Sequence, residues 1–142
     1  MTGWFGYAVG AAIFYGLHQV FTKLASTGAS DGLGGFVVEA TAASTIALYL
    51  IYLRCFGTWN QHINTSGTIY SVATGVCVGV GTILFFQLFA AGGPLSAVPA
   101  VLAVGAAIMV LAGVLIFHEA LTWERSLGIG LSIVGILLLR RS

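Results

Sequence analysis

The chain alternates between five long apolar runs and short polar or glycine-rich segments. Each run is close to the roughly 20 residues that a helix needs to cross the hydrocarbon core of a bilayer. The runs are continuous and do not alternate between apolar and polar residues, so they indicate helices and not the strands of a membrane barrel. The pattern predicts five transmembrane helices, at residues 4–22, 33–53, 68–91, 95–117 and 123–139.

The composition narrows the class of protein further. The chain is 58% hydrophobic and 6% charged, with a mean hydropathy of +1.03. Soluble domains are about 25% charged, so these few charges cannot cover a water-exposed surface, and a soluble enzyme is excluded. Nucleic-acid binding is not expected, because the chain has no basic run to attract a phosphate backbone. We expect an all-α integral membrane protein with a single transmembrane domain over residues 1–142.

No motif of an enzyme or of a cofactor-binding protein is complete in this chain. His118-Glu119 lacks the second histidine that a zinc-protease helix requires, and the glycines at 128 and 130 lie inside an apolar run and not after a strand. Cys55 and Cys77 have neither metal-binding nor redox spacing. We therefore expect no enzymatic activity, no cofactor and no metal site.

Eight of the nine charged residues lie at the ends of the runs or between them, where they can reach water. Five crossings would place the two termini on opposite sides of the membrane. The basic residues then divide two against three between the sides, so the positive-inside rule leaves the orientation undecided. A chain that inserts in both directions would have such a balance, and so few charges can also reach it by chance.

Glu39 is the ninth charge and lies well inside the second run. A lone charge at the centre of a bilayer costs about 3 kcal/mol on insertion scales, so Glu39 is expected to face other helices and to have a partner, with Lys23 and His18 as candidates. Intramembrane acids usually have a role, such as recognising a cation or coupling transport to protons. The alternative is structural: an ion pair or hydrogen bond that aligns the first two helices.

Four other polar residues are expected at about the same depth in the membrane as Glu39. His18, Gln19 and Lys23 lie towards the end of the first helix, and Gln87 lies towards the end of the third. Together these side chains could line one cavity that binds a substrate. Each also has a structural alternative: hydrogen bonds between helices for His18, Gln19 and Gln87, and an end position that reaches the membrane interface for Lys23.

Several motifs carry a family resemblance. Residues 92–99 (GGPLSAVP), residues 119–122 (EALT) and an apolar helix with Gly128 and Gly135 resemble the end of an EamA-type domain of the drug/metabolite transporter superfamily. Residues 21–26 (FTKLAS) are similar to the end of the first helix of that domain, and Gly75, Gly79, Gly81 and Thr82 resemble its third helix. The resemblance covers nearly the whole chain, and the five helices correspond to one repeat.

The resemblance implies how the protein would work. The usual family member has two such repeats of opposite orientation, with ten helices around a central cavity and an alternating-access mechanism. A chain with one repeat would therefore act as a homodimer with a second, antiparallel copy. Small multidrug members use a glutamate in their first helix, where this chain has His18 and Gln19.

We therefore expect a multi-pass membrane transporter that moves a small organic solute or metabolite, in the plasma membrane or in the inner membrane of a prokaryote. Its partners would be the lipid bilayer, the substrate and a second copy of the chain. Proton coupling would run through Glu39, with His18, Gln19, Gln87 and Lys23 as further substrate-binding residues. The alternative is a non-transporting accessory or assembly subunit of a larger membrane complex.

Overall fold

The computed structural model of the chain describes residues 3–57, 59–120, 122–123, 126–128, 130–131 and 134. Regular structure in this part of the chain is entirely helical. The helices are α1 (Gly3–Ala25), α2 (Asp31–Cys55), α3 (Thr65–Ala90), a 3-10 turn (Leu95–Ala97) and α4 (Val98–Leu115). The described residues from 123 to 134 also have helical backbone, and the rest of the predicted helix at 123–139 lies outside the described residues.

Three segments are long and apolar enough to cross a membrane: α2, α3 and the stretch Leu95–Leu115. The helix α1 is similar in length, but His18, Gln19 and Lys23 make its second half more polar. Buried apolar side chains are few among the described residues, namely Leu53, Phe86, Phe89 and Val98, whereas most large apolar side chains are exposed. An exposed apolar surface of this extent is typical of a protein embedded in a membrane.

The first three predicted helices are confirmed as helices, and each begins one to three residues before its apolar run. The helix α3 begins in a polar segment because Asn64 caps it: the Asn64 Oδ1 accepts a hydrogen bond from the Gly67 N–H at 2.7 Å. The helix α2 has Asp31 in its first turn, where a negative charge is favourable next to the helix dipole.

The fourth predicted helix, at 95–117, begins later as an α-helix because of Pro99. Proline has no N–H, and its ring would clash with the carbonyl group of residue 95 in a continuous α-helix. Residues 95–97 accordingly form a 3-10 turn, and Pro99 lies in the first turn of α4. The chain reverses after α4 at His118, which has a φ of 52°, and the Glu119 N–H donates to the Gly113 carbonyl oxygen at 2.9 Å.

The chain divides into two compact units, Met1–Gly93 and Pro94–Ser142. The first unit contains α1, α2 and α3, and the second contains the 3-10 turn and α4. The candidate site residues all belong to the first unit, whose packing is described next. The single transmembrane domain expected from the sequence stays a prediction.

Close packing joins α2 and α3, which run in opposite directions. A Cβ atom at Gly34 would lie 2.6 Å from the Phe86 Cζ, and one at Gly35 would lie 3.5 Å from the Ile83 Cγ1. The Phe86 ring therefore lies directly against the backbone of α2 at Gly34, and a larger residue there would force the ring to shift. Small residues allow such approaches between membrane helices, where the apolar surroundings provide no hydrophobic driving force.

The helices α1 and α3 run in the same direction, and their C-terminal ends meet. The Lys23 Nζ lies 5.8 Å from the centre of the Phe89 ring and donates to the Gly93 carbonyl oxygen at 3.4 Å. The end of α3 is a Schellman motif: Gly92 has a φ of 85°, its N–H donates to the Phe89 carbonyl oxygen, and the Gly93 N–H donates to the Leu88 carbonyl oxygen. Lys23 thus places a positive charge at the negative end of the α3 dipole.

Packing is confined to one half of these three helices, which we call the packed half and define as residues 18–25, 31–39 and 79–90. It contains all buried residues of α1, α2 and α3 except Leu53: Thr22, Gly34, Gly35, Thr82, Phe86 and Phe89.

The other half, residues 3–17, 40–55 and 65–78, is called the open half. Every residue is exposed from 11 to 17, from 40 to 52 and from 68 to 78. Each of these stretches is longer than one helical turn, so none of them has a buried face.

Candidate functional site

Glu39 lies where the packed half meets the open half. The Thr82 Oγ1 donates a hydrogen bond to the Glu39 Oε1 at 2.6 Å. Thr82 is buried and Glu39 is half-buried, about 12 Å from the start of α2 at 1.5 Å per residue. Beyond this bond, residues 40–52 of α2 and 68–78 of α3 are exposed. The prediction that Lys23 or His18 is the partner of Glu39 is wrong, because its hydrogen-bond partner is Thr82.

Thr82 was not identified from the sequence for a physical reason. A threonine in a membrane helix usually donates to the carbonyl group four residues earlier, and Thr45 and Thr74 do so here at 2.9 Å. Such residues carry no signal for a contact between helices. In the sequence, Thr82 is singled out only as part of the stretch that resembles the third helix of an EamA-type domain.

Gln87 does not join Glu39 in one cavity. The Gln87 Nε2 donates to the Asp31 Oδ2 at 2.7 Å. Asp31 is the first residue of α2, about two turns from Glu39, and Gln87 is exposed. The pair therefore joins the beginning of α2 to the last turn of α3, as an interhelical hydrogen bond of the kind expected in the structural alternative, and a substrate-binding role for Gln87 stays a prediction.

Lys23 also lies at this outer end. Its ammonium group is held by the Gly93 carbonyl oxygen and the Phe89 ring, beside the end of α3 and not beside Glu39. The contact corresponds to the alternative interpretation of Lys23 as a residue that reaches outwards from the end of a helix. Lys23 and Gln87 thus stabilise the end of the packed half.

His18 and Gln19 remain candidates for binding a ligand. The His18 Nδ1 and the Gln19 Oε1 are both buried without a hydrogen-bond partner among the described residues. An unsatisfied buried polar atom costs about 1–3 kcal/mol, so both atoms favour a donor or a water molecule. Since α1 and α3 run in parallel with Lys23 beside Phe89, His18 and Gln19 lie within about one turn of Thr82 in depth.

The candidate site therefore consists of Glu39 and Thr82, with His18 and Gln19 at similar depth. Thr82 binds one carboxylate oxygen of Glu39, so the second oxygen can accept a hydrogen bond from a ligand or take up a proton. Among the described residues, no three His, Cys, Asp or Glu side chains come close enough together to hold a metal ion. The expected absence of metal and cofactor stays a prediction.

Comparison with known proteins gives no relative for this chain. No family model matches it, and no match is found among curated proteins or among solved structures. The resemblance to an EamA-type domain therefore stays a prediction. Two of its motifs, around Leu121 and Gly135, lie in part outside the described residues.

Proposed function

We propose that the chain is a multi-pass membrane transporter that moves a small organic solute by alternating access, built on one EamA-type repeat of five transmembrane helices. One observation carries this proposal. The buried residues of α1, α2 and α3, apart from Leu53, lie on one side of Glu39, whereas on the other side residues 11–17, 40–52 and 68–78 are all exposed. An acidic side chain at such a boundary, away from both helix ends, supports a binding or coupling site of the kind found near the middle of transporters.

The proposal includes a homodimer, because residues 11–17, 40–52 and 68–78 of the open half are exposed throughout. A second, antiparallel copy would provide the inverted repeat that such transporters use. Glu39 would recognise the solute or exchange a proton with it, and the unpartnered polar atoms of His18 and Gln19 would bind polar groups of the solute.

Uptake into proteoliposomes tests the transport proposal. Wild type, Glu39→Gln and Thr82→Val would be compared for uptake of radiolabelled amino acids, nucleosides, quaternary ammonium compounds and organic anions. We expect wild type to accumulate at least one class above protein-free vesicles and Glu39→Gln to lose that uptake, because the amide has no charge and cannot exchange a proton.

Thr82→Val is the matched control, because it removes the hydrogen bond and keeps the carboxylate. It should retain uptake with a changed rate if Glu39 itself is the working group. Equal uptake by wild type and Glu39→Gln would remove Glu39 from the mechanism. No uptake of any class by wild type would contradict transport.

A non-transporting accessory or assembly subunit is the second candidate, favoured by a specific observation. Gly6 and Gly10 of α1 and Gly75 and Gly79 of α3 have no neighbouring atoms where a Cβ would lie, and spacing of this kind suits close contact with other membrane helices. In this case the Glu39–Thr82 bond would only align α2 and α3. Mild purification separates the two functions: a stoichiometric foreign partner supports the accessory role, and a self-dimer supports transport.

A further inference from the structure

The tryptophans and tyrosines are unevenly distributed along α1, α2 and α3. The chain has three tryptophans and five tyrosines. Six of these eight residues lie at the outer end of the open half, where α1 and α3 begin and α2 ends. They form what we call the aromatic end: Trp4, Tyr7, Tyr49, Tyr52, Trp59 and Tyr70. No tryptophan or tyrosine lies at the opposite end, in residues 18–39 or 79–93.

The residues of the aromatic end share two properties. Each side chain is at least 46% exposed, so none of them forms the core of the first unit. The five that lie on helices are within six residues of a helix end, which is about 9 Å at 1.5 Å per residue. The rings are therefore displayed on the outside of the molecule in a band at one depth.

The lengths of the helices place this band relative to a bilayer. The helices α1, α2 and α3 have 23, 25 and 26 residues, or about 35–39 Å. The hydrocarbon core of a bilayer is about 30 Å thick, and the headgroup regions extend it to about 40–45 Å. Helices of this length pass through the core and end within the headgroup regions. The aromatic end then coincides with one headgroup region.

The chemistry of the side chains fits the same partner. Tryptophan and tyrosine have an apolar ring for the acyl chains and an N–H or O–H that donates to the ester and phosphate oxygens of lipids. Arg54, exposed in the last turn of α2, adds a cation that phosphate attracts. Water alone would not favour six exposed aromatic rings, and a dry protein interface would leave their polar atoms without partners.

We infer that the aromatic end is a binding surface for phospholipid headgroups and anchors one end of α1, α2 and α3 in a single leaflet. The opposite end, with Lys23, Asp31 and Gln87, has no such anchor. The inference does not depend on transport, since an accessory subunit would use the same anchor. It predicts that the two tryptophans of the first unit lie at shallow depth in the bilayer.

Fluorescence quenching in phosphatidylcholine vesicles tests this inference on the full chain. One variant keeps Trp4 alone (Trp59→Phe with Trp123→Phe), and another keeps Trp59 alone (Trp4→Phe with Trp123→Phe). Phosphatidylcholine with a nitroxide near the carbonyl end of its acyl chain should quench both variants more than lipid labelled near the methyl end. The control carries Phe14→Trp with all three tryptophans replaced by phenylalanine. Phe14 lies in the middle of α1 and is exposed, so the order of quenching should reverse.

Three results would overturn the inference. The first is an equal depth for Trp4, Trp59 and the tryptophan of Phe14→Trp. The second is quenching of Trp4 and Trp59 by aqueous iodide but by neither labelled lipid. The third is protection of both tryptophans from all quenchers, which would indicate a protein partner. If the multiple variants do not fold, Trp4→Phe and Trp59→Phe are introduced singly into wild type. Each should then remove a component that the shallow label quenches, and removal of a deep component would contradict the inference.

Discussion

The packed half and the open half belong to the same three helices, but only the packed half contains glycines that lie against a neighbouring helix. In the packed half, Gly34 lies against the Phe86 ring. In the open half, Gly6, Gly10 and Gly75 have no atom nearby. The packed half also contains the polar side chains of the candidate site, so greater hydrophobicity is not the reason that it packs. Packing between membrane helices needs a small residue and a partner shaped to meet it, and glycine alone is not sufficient.

Polar bonds follow the same division. The Glu39–Thr82 and Asp31–Gln87 hydrogen bonds and the Lys23 contact with Gly93 all lie in the packed half. The side-chain hydrogen bonds of Ser44, Thr45 and Thr74 in the open half go to carbonyl groups of their own helices. The difference predicts that stability depends on the packed half, and three substitutions can be ranked accordingly.

The largest effect is expected from Phe86→Ala. Phe86 is 1% exposed, and removing a buried phenylalanine ring costs about 3–5 kcal/mol, since the cavity is only partly refilled. The measurement is the free energy of unfolding in detergent micelles. Phe14→Ala is the control, because Phe14 lies in the open half with 74% of its surface exposed, and it should cost much less. Equal losses for the two variants would show that the open half is packed as well.

A smaller loss is expected from Gly34→Ala. The new methyl group would clash with the Phe86 ring, and such overpacking costs about 1–3 kcal/mol. Gly75→Ala is the matched control on a helix with free space. It should be neutral or stabilising by about 0.5–1 kcal/mol, because alanine favours a helix more than glycine does.

A double variant then checks the cause of the Gly34 effect. Phe86→Leu should recover part of the stability that Gly34→Ala loses, and the two changes should be non-additive because the residues touch. Strict additivity would mean that the loss comes from elsewhere.

The smallest effect is expected from Lys23→Met, which removes the cation at the end of α3. An interaction of a charge with a helix terminus contributes about 0.3–1 kcal/mol and weakens with salt. Unfolding at low and high salt would measure it. Lys23→Arg keeps the charge and should retain most of the stability at low salt. If Lys23→Arg loses as much as Lys23→Met, the contact depends on the shape of the lysine and not on its charge.

Much of the helical structure could be predicted from the sequence, because an apolar run of sufficient length has few alternatives. The errors lie at the ends of the runs, where the physics is local and polar. Asn64 caps α3, although the polar segment around it is predicted to lie between helices. Pro99 shifts the start of α4 to a later residue through a clash with the backbone. Both signals can be read from the sequence, through capping preferences and the missing N–H of proline.

The candidate site was less predictable, because it depends on how far one helix is shifted along another. The depth of Glu39 was foreseen, but its partner was not, since Thr82 is 43 residues away and resembles any other threonine in an apolar helix. Gln87 was placed at the same depth as Glu39, although it pairs with Asp31 about two turns further out. Three contacts in the structure together define this register: Gly34 with Phe86, Glu39 with Thr82, and Asp31 with Gln87.

The position of the Glu39–Thr82 bond also has a mechanical consequence. Beyond Glu39, α2 continues for 16 residues to Cys55, an arm of about 24 Å whose residues 40–52 are all exposed. This geometry would make the bond the pivot of a lever. A rotation of about 5° at the pivot would move the far end of the arm by about 2 Å over this length, so a small change at the carboxylate would be amplified at the other end of α2.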